Sequence, residues 1–242
     1  APQQPITDWK GTDSPEDVFE KIIGENTLRD VALLELALEA AGSVVRIRGP
    51  NTLGSGFLCG ADIVMTCHHV IADPATAQNS EYTFFYELNR QGIEKPTQTV
   101  AALPGGLFFS DPALDVALIQ VREVPDGVTP LALKRQRVKR DDRVSIIQHP
   151  GGNYKKISMQ NNFVEYADTQ VIQYTTSTEL GSSGSPVFND TFQVIAVHHS
   201  GGMLPDPQTS RRHLRNAGSL MTAVLAAVEQ HAPELHSRLH IA

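Results

Sequence analysis

Three short stretches of the chain hold residue types that can work together as a nucleophile, a base and an orienting acid. Gly181-Ser182-Ser183-Gly184-Ser185-Pro186 is a turn of small residues followed by apolar Val187 and Phe188. Small residues let backbone N–H groups face open space beside an exposed hydroxyl, the geometry that an anionic tetrahedral intermediate requires. A serine hydroxyl is a weak nucleophile at neutral pH. It needs a base within hydrogen-bond reach and a third group that holds this base in one tautomer. Thr66-Cys67-His68-His69-Val70 supplies two histidines, and Asp115 directly precedes the apolar run Val116-Ala117-Leu118-Ile119. The chain order is therefore histidine, aspartate, serine.

The elements that must position these residues follow from periodicity. Ser14-Pro15-Glu16-Asp17 offers a cap, a proline at the first helical position and acids in the first turn, which predicts a short helix ending at Gly24. A second helix is expected over residues 28–41, with Val31, Leu34, Leu38 and Ala41 facing the body of the protein. From Ser43 the apolar period changes from about 3.6 to 2. Strands are expected at 44–48, 54–59, 63–66, 82–88, 100–103 and 116–121, then at 144–148, 156–159, 160–166, 171–175, 186–188 and 194–198. The hairpin of the second and third strands would deliver His68 and His69 at its far end. An amphipathic helix over 220–229 would close the chain, and there is no internal repeat or low-complexity segment.

Composition narrows the function classes. A net charge of −7 over 242 residues argues against nucleic acid as a partner, because phosphate binding draws on clustered Lys and Arg. The one basic cluster, Lys134-Arg135-Gln136-Arg137-Val138-Lys139-Arg140, reads as a solvated connection, with docking of an acidic partner as the alternative. No apolar run approaches the roughly 18 residues of a membrane span. Cys59 and Cys67 flank a hairpin turn out of register, so two free buried thiols and a cytoplasmic location are expected. A metal site is not expected: adjacent histidines on a strand point to opposite faces, and no acid or cysteine has ligand spacing to them.

Taken together, the three motifs resemble those of chymotrypsin-clan, trypsin-like serine peptidases of the bacterial type, over about residues 44–202. The resemblance implies an all-β fold of two six-stranded antiparallel barrels, here with an N-terminal helical extension and a C-terminal helix. The corresponding division is an arm over 1–42, a first barrel over 43–130 and a second over 131–242, with 43–242 forming one peptidase unit. It implies Ser183 as nucleophile with Ser182 and Ser185 as decoys, His69 as base with His68 as the alternative, and Asp115 as the orienting acid. Asp111 reads as a turn former. Backbone N–H groups of Gly181 and Ser183 would form the oxyanion hole, and no cofactor is implied.

The same resemblance places the specificity pocket at Ser177, Thr178, His198, His199, Ser200 and Gly201. Ser177 stands where an aspartate would select Arg or Lys. His198 and Thr178 resemble pocket residues of glutamyl endopeptidases, implying an acidic P1 side chain, although Glu179 lies nearby; otherwise His198 is a satisfied strand-end histidine. The expected activity is regulated endopeptidase hydrolysis of protein or peptide, with a regulatory protein or fused domain as partner and neither nucleic acid nor membrane. The alternative is a catalytically weak trypsin-like fold acting as a protein-binding scaffold.

Overall fold

The switch in apolar period at Ser43 marks the point where helix gives way to sheet. The computed structural model describes residues 28–206 and 211–242, so the helix expected near residues 14–24 lies outside the described residues. The chain divides into two units, Ala1–Val31 and Ala32–Ala242, and every described strand belongs to the second.

Seven strands come after the first described helix, α1 (Ala32–Gly42): β1 (Val44–Arg48), β2 (Leu53–Leu58), β3 (Ile63–Thr66), β4 (Glu81–Phe84), β5 (Gln98–Ala101), β6 (Phe108–Asp111) and β7 (Val116–Gln120). They form one antiparallel sheet in the order β5-β4-β1-β2-β3-β7-β6. A short helix, α2 (Pro74–Gln78), interrupts them and is capped by the Asp73 carboxylate. The second sheet holds β8 (Ser145–Gln148), β9 (Lys156–Ser158), β10 (Val164–Ala167), β11 (Val171–Tyr174), β12 (Pro186–Phe188), β13 (Val194–Pro205) and β14 (Arg212–Leu220) in the order β10-β11-β14-β13-β12-β8-β9. This is the double-barrel architecture expected, with seven strands in each half rather than six. The additional strands are β6 and β14. Arg212-His213-Leu214-Arg215-Asn216 lacks apolar alternation because most of it is exposed, and it is held as a strand by pairing with β13.

Two cores form, and the larger one, built on the first sheet, also takes in Ile147, Phe188, Val194 and Val197 of the second sheet. Val44, Ile47, Phe57, Ile63, Met65 and Leu118 belong to the first core, and Val144, Ile146, Val164, Ile172, Tyr174 and Ile195 to the second. The chain closes with α3 (Met221–His231) and α4 (Pro233–His236). Met221, Val224, Leu225 and Val228 of α3 are buried, the i, i+3, i+4, i+7 stripe anticipated for residues 220–229.

The face of α1 is a correction. Ala37 and Ala40 are the buried residues, with Leu33 and Ala41 partly covered, whereas Leu34 and Leu38 are 55% and 75% exposed. Ala37 and Ala40 carry the contact of this helix with the core, and the larger Leu34 and Leu38 face outward. Apolar size misled the choice between two faces that both satisfy helical spacing.

Candidate active site

Strand β3 ends at Thr66, and the next turn presents the two histidines differently. His68 Nδ1 pairs with Ser110 Oγ at 2.7 Å. His69 Nδ1 lies 2.7 Å from Asp115 Oδ2, and the His69 backbone N–H donates to Asp115 Oδ1 at 2.9 Å. A carboxylate that accepts from both groups fixes the ring's position and requires the Nδ1–H tautomer, which leaves Nε2 able to accept a proton. Asp115 adopts φ +48°, a left-handed conformation that Asp tolerates better than most residues, at the turn between β6 and β7. Asp111 shapes that turn by accepting from the backbone N–H groups of Ala113 and Leu114. Burial raises the pKa of Asp115, but the His69 hydrogen bonds and the nearby charges of His69 and His199 more than offset this and hold it below the ordinary value.

Only one of the three clustered serines is accessible. Ser182 and Ser185 are fully buried, while Ser183 is half-buried. Ser182 Oγ accepts from Glu179 N at 3.1 Å and so belongs to the turn's own hydrogen bonding. Gly181 and Gly184 sit at φ +93° and +88°, which makes the sharp turn possible; a Cβ on Gly184 would lie 2.1 Å from the Ser55 carbonyl. The N–H groups of Ser182, Gly184 and Ser185 donate within the protein, whereas among the described residues those of Gly181 and Ser183 have no acceptor. Two unpaired N–H groups beside an accessible hydroxyl can receive an oxyanion. Ser183 Oγ donates to the His199 carbonyl at 3.5 Å, and among the described residues no hydrogen bond joins it to His69.

A cavity of about 690 Å³ opens beside Ser183, lined by Ser177, Thr178, His198, Ser200 and Gly201 among the anticipated pocket residues. His199 is not on its wall. Asn216, on the unanticipated strand β14, is: it accepts from Thr178 Oγ1 and donates to the Thr176 carbonyl, both at 2.8 Å. Neighbouring Arg215 also lines it, with its guanidinium on Asp206 at 3.0 Å and Gln173 at 3.2 Å. His198 is buried against Tyr174, whose hydroxyl meets Nδ1 at 2.8 Å, and burial, followed by the charges of His199 and His69, pushes its pKa down to about 3. It is a neutral, satisfied histidine.

Cys67 enters the site by a route that sequence spacing concealed. Its Sγ and the ligand atoms of His69 and Asp115 lie within 4.8 Å of one another, a cluster able to hold a metal ion, so the fold supplies the acidic and cysteine neighbours that sequence separation seemed to deny. The thiol instead donates to the His198 carbonyl at 3.2 Å, and burial, then the Asp115 charge, raises its pKa well above the ordinary value. Metal binding would have to displace that proton. Cys59 and Cys67 are both free and buried.

Comparison with known proteins bears on the family and the fold. Residues 54–197 match the family model of the trypsin-like peptidase domain, and the chain belongs to that family. An uncharacterized protein of Sinorhizobium fredii, y4fB, is 34% identical, with 78% of this chain and 32% of that protein covered. A secreted RxLR effector protein of Plasmopara viticola is 28% identical, with 76% and 52% covered, so the chain spans between a third and about half the length of these relatives. Among solved structures, the Rv3671c protease of Mycobacterium tuberculosis in its active form has a TM-score of 0.61 at 20% identity, covering 89% of this chain and 94% of that one. Deg5 has a TM-score of 0.61 at 18% identity, covering 86% and 95%. These likenesses bear on the fold and the family and leave the glutamyl endopeptidase branch without support.

Proposed function

We propose that the chain is a serine endopeptidase acting through an acyl-enzyme on Ser183. In this reading Ser183 Oγ bonds to the scissile carbonyl carbon while its proton passes to His69 Nε2. The oxyanion is received by the N–H groups of Gly181 and Ser183. As the C–N bond breaks, His69 returns the proton to the leaving amine, and water then repeats the sequence to release the acid. Asp115 holds the imidazole and stabilises its cation. The observation that carries the reading is the 2.7 Å His69–Asp115 pair beside the single accessible hydroxyl of the turn. The Ser183–His69 link is the one expected to close as substrate binds, since catalytic hydrogen bonds commonly tighten only in the complex.

For specificity we infer a P1 side chain that is not acidic. A neutral His198, an Arg215 engaged by Asp206 and an exposed Glu179 on the lip give an acidic side chain no partner. The unit carrying this activity is residues 43–242, with barrels over 43–130 and 131–242 and an arm over 1–42 through which a regulatory protein or fused domain would act. Two free thiols support a reducing, cytoplasmic setting. No described helix is long and apolar enough to cross a membrane. Incubating wild type and Ser183→Ala with a peptide library tests the proposal. Cleavage by wild type alone, without acidic residues at P1, is expected; equal cleavage by both, or by neither, contradicts it.

A further inference from the structure

The oxyanion N–H of Gly181 belongs to the peptide that joins it to Leu180, and the direction of that peptide decides whether the donor faces substrate. The Leu180 carbonyl accepts from Gly151 N at 2.6 Å. The next peptide is held as well: the Gly181 carbonyl accepts from Ser55 Oγ at 2.9 Å. Ser55 is fully buried on β2, and its Oγ is engaged as acceptor as well as donor, since it accepts from His149 N at 2.9 Å. Its backbone N–H donates to the Ser183 carbonyl at 2.8 Å, and its own carbonyl accepts from Thr66 Oγ1 at 2.7 Å. One residue of the first sheet thus touches both sides of the turn that carries the nucleophile, and also touches the turn that grips the oxyanion peptide.

That second turn, residues 149–153, is anchored from outside the site. Gly152 N donates to the His149 carbonyl and Asn153 N to that of Pro150, while the His149 ring stacks on Tyr86 with centroids 6.1 Å apart. Two residues on, Lys155 N donates to the Tyr86 carbonyl at 2.9 Å. The Lys155 side chain is only 4% exposed, with its ammonium on Glu87 at 2.8 Å and on the Ala41 carbonyl at the end of α1. A buried ammonium stays only where its partners are fixed, so this contact ties the helix end to the turn.

We propose that Ser55 is a positioning residue of the oxyanion hole. It locks the Leu180–Gly181–Ser182 backbone against the 149–153 turn, and Lys155 transmits the placement of α1 to that lock. This rests on the serine-peptidase reading and deepens it: an internal hydroxyl and a buried lysine order the loop that carries the oxyanion donor. Removing the Ser55 hydroxyl leaves the His149 N–H and the Gly181 carbonyl without partners in a dry site; the 149–153 turn loosens, its Gly151 N–H no longer fixes the Leu180 carbonyl, and the Leu180–Gly181 peptide is free to turn its N–H away.

Ser55→Ala in the full chain tests this by steady-state kinetics, thermal melting and amide hydrogen exchange. The expected result is a fall in kcat of about ten- to a hundred-fold, since loss of one oxyanion donor costs about 10²–10³. KM should stay within about two-fold, because the interaction is made in the transition state. The Gly151 and His149 amides should exchange faster. A variant that melts lower but keeps kcat per folded molecule, with those amides still protected, overturns the proposal. Should Ser55→Ala not fold, Lys155→Met decides it: a lower kcat at unchanged KM supports the lock, and unchanged kcat overturns it. A wild-type chain inert to all substrates would remove the peptidase reading, while amide exchange in the same proteins would still decide whether the lock exists.

Discussion

Replacing Asp115 by Asn exchanges one carboxylate oxygen for an NH₂ group and inverts one hydrogen bond. The amide oxygen can still accept from the His69 backbone N–H, now at 2.9 Å, but an NH₂ group takes the place of the oxygen that lies 2.7 Å from Nδ1. Two donors cannot share that contact, so Nδ1 must become the acceptor and the ring proton must move to Nε2. Nε2 is the atom required to take the Ser183 proton, and the variant therefore loses its base while keeping its packing. Asn tolerates the φ of +48° at this position as well as Asp does, so no backbone strain is added. In a triad such a tautomer error costs about 10⁴-fold in kcat. At 1.36 kcal/mol per decade this is about 5.4 kcal/mol of transition-state stabilisation. The assay is kcat for a cleaved peptide in wild type and Asp115→Asn, with circular-dichroism melting to confirm the fold. A folded variant within tenfold of wild type would refute the tautomer argument and with it the role of Asp115.

Acid should destabilise the protein through His149 and His198, both held neutral by burial with pKa values pushed down to about 3 against an ordinary 6.5. Between those values the unfolded chain binds the protons and the folded chain does not. Stability should therefore fall as pH drops, by about 1.4 kcal/mol per unit for each histidine. Asp115 acts lower: its depressed pKa means that its contribution persists above pH 3.8 and is lost only as pH falls through the folded value. Denaturant melts from pH 7 to 4.5 read this, and a flat profile would contradict it. Cys59 and Cys67 should both titrate with a thiol reagent after denaturation without reductant, and neither in the native state; a missing thiol would contradict the free pair. On α1, Ala40→Glu should cost about 1–3 kcal/mol by burying an unpaired charge, while Leu38→Ser should stay within about 0.5 kcal/mol. Equal losses would mean that the wrong face had been identified.

The chemistry was legible because each triad candidate lies in a local context that constrains it. A small-residue turn can expose a hydroxyl, a hairpin end can present a histidine, and an aspartate ahead of an apolar strand must sit at its edge. The choices between Ser183 and its neighbours, and between His69 and His68, turn on burial and hydrogen bonding across the two sheets, and spacing along the chain does not encode those contacts. Asn216 escaped notice for a related reason. Strand β14 is paired on both sides along part of its length yet carries little apolar alternation, so its pocket residues had no element to be assigned to. Cys67 approaches the acid through the pairing of β3 with β7, a contact between residues about fifty positions apart. The Ser55 network joins four separate segments and could be read only from coordinates.

The most direct measurement of the central claim is the site of covalent capture by a fluorophosphonate probe. Three serines occur within four residues, and the probe reacts only with a hydroxyl activated by a base and served by an oxyanion hole. Peptide mapping by mass spectrometry should place one adduct on Ser183 and none on Ser182 or Ser185, with labelling abolished in Ser183→Ala and in His69→Ala. An adduct on Ser182 or Ser185, or undiminished labelling in either variant, would contradict the account.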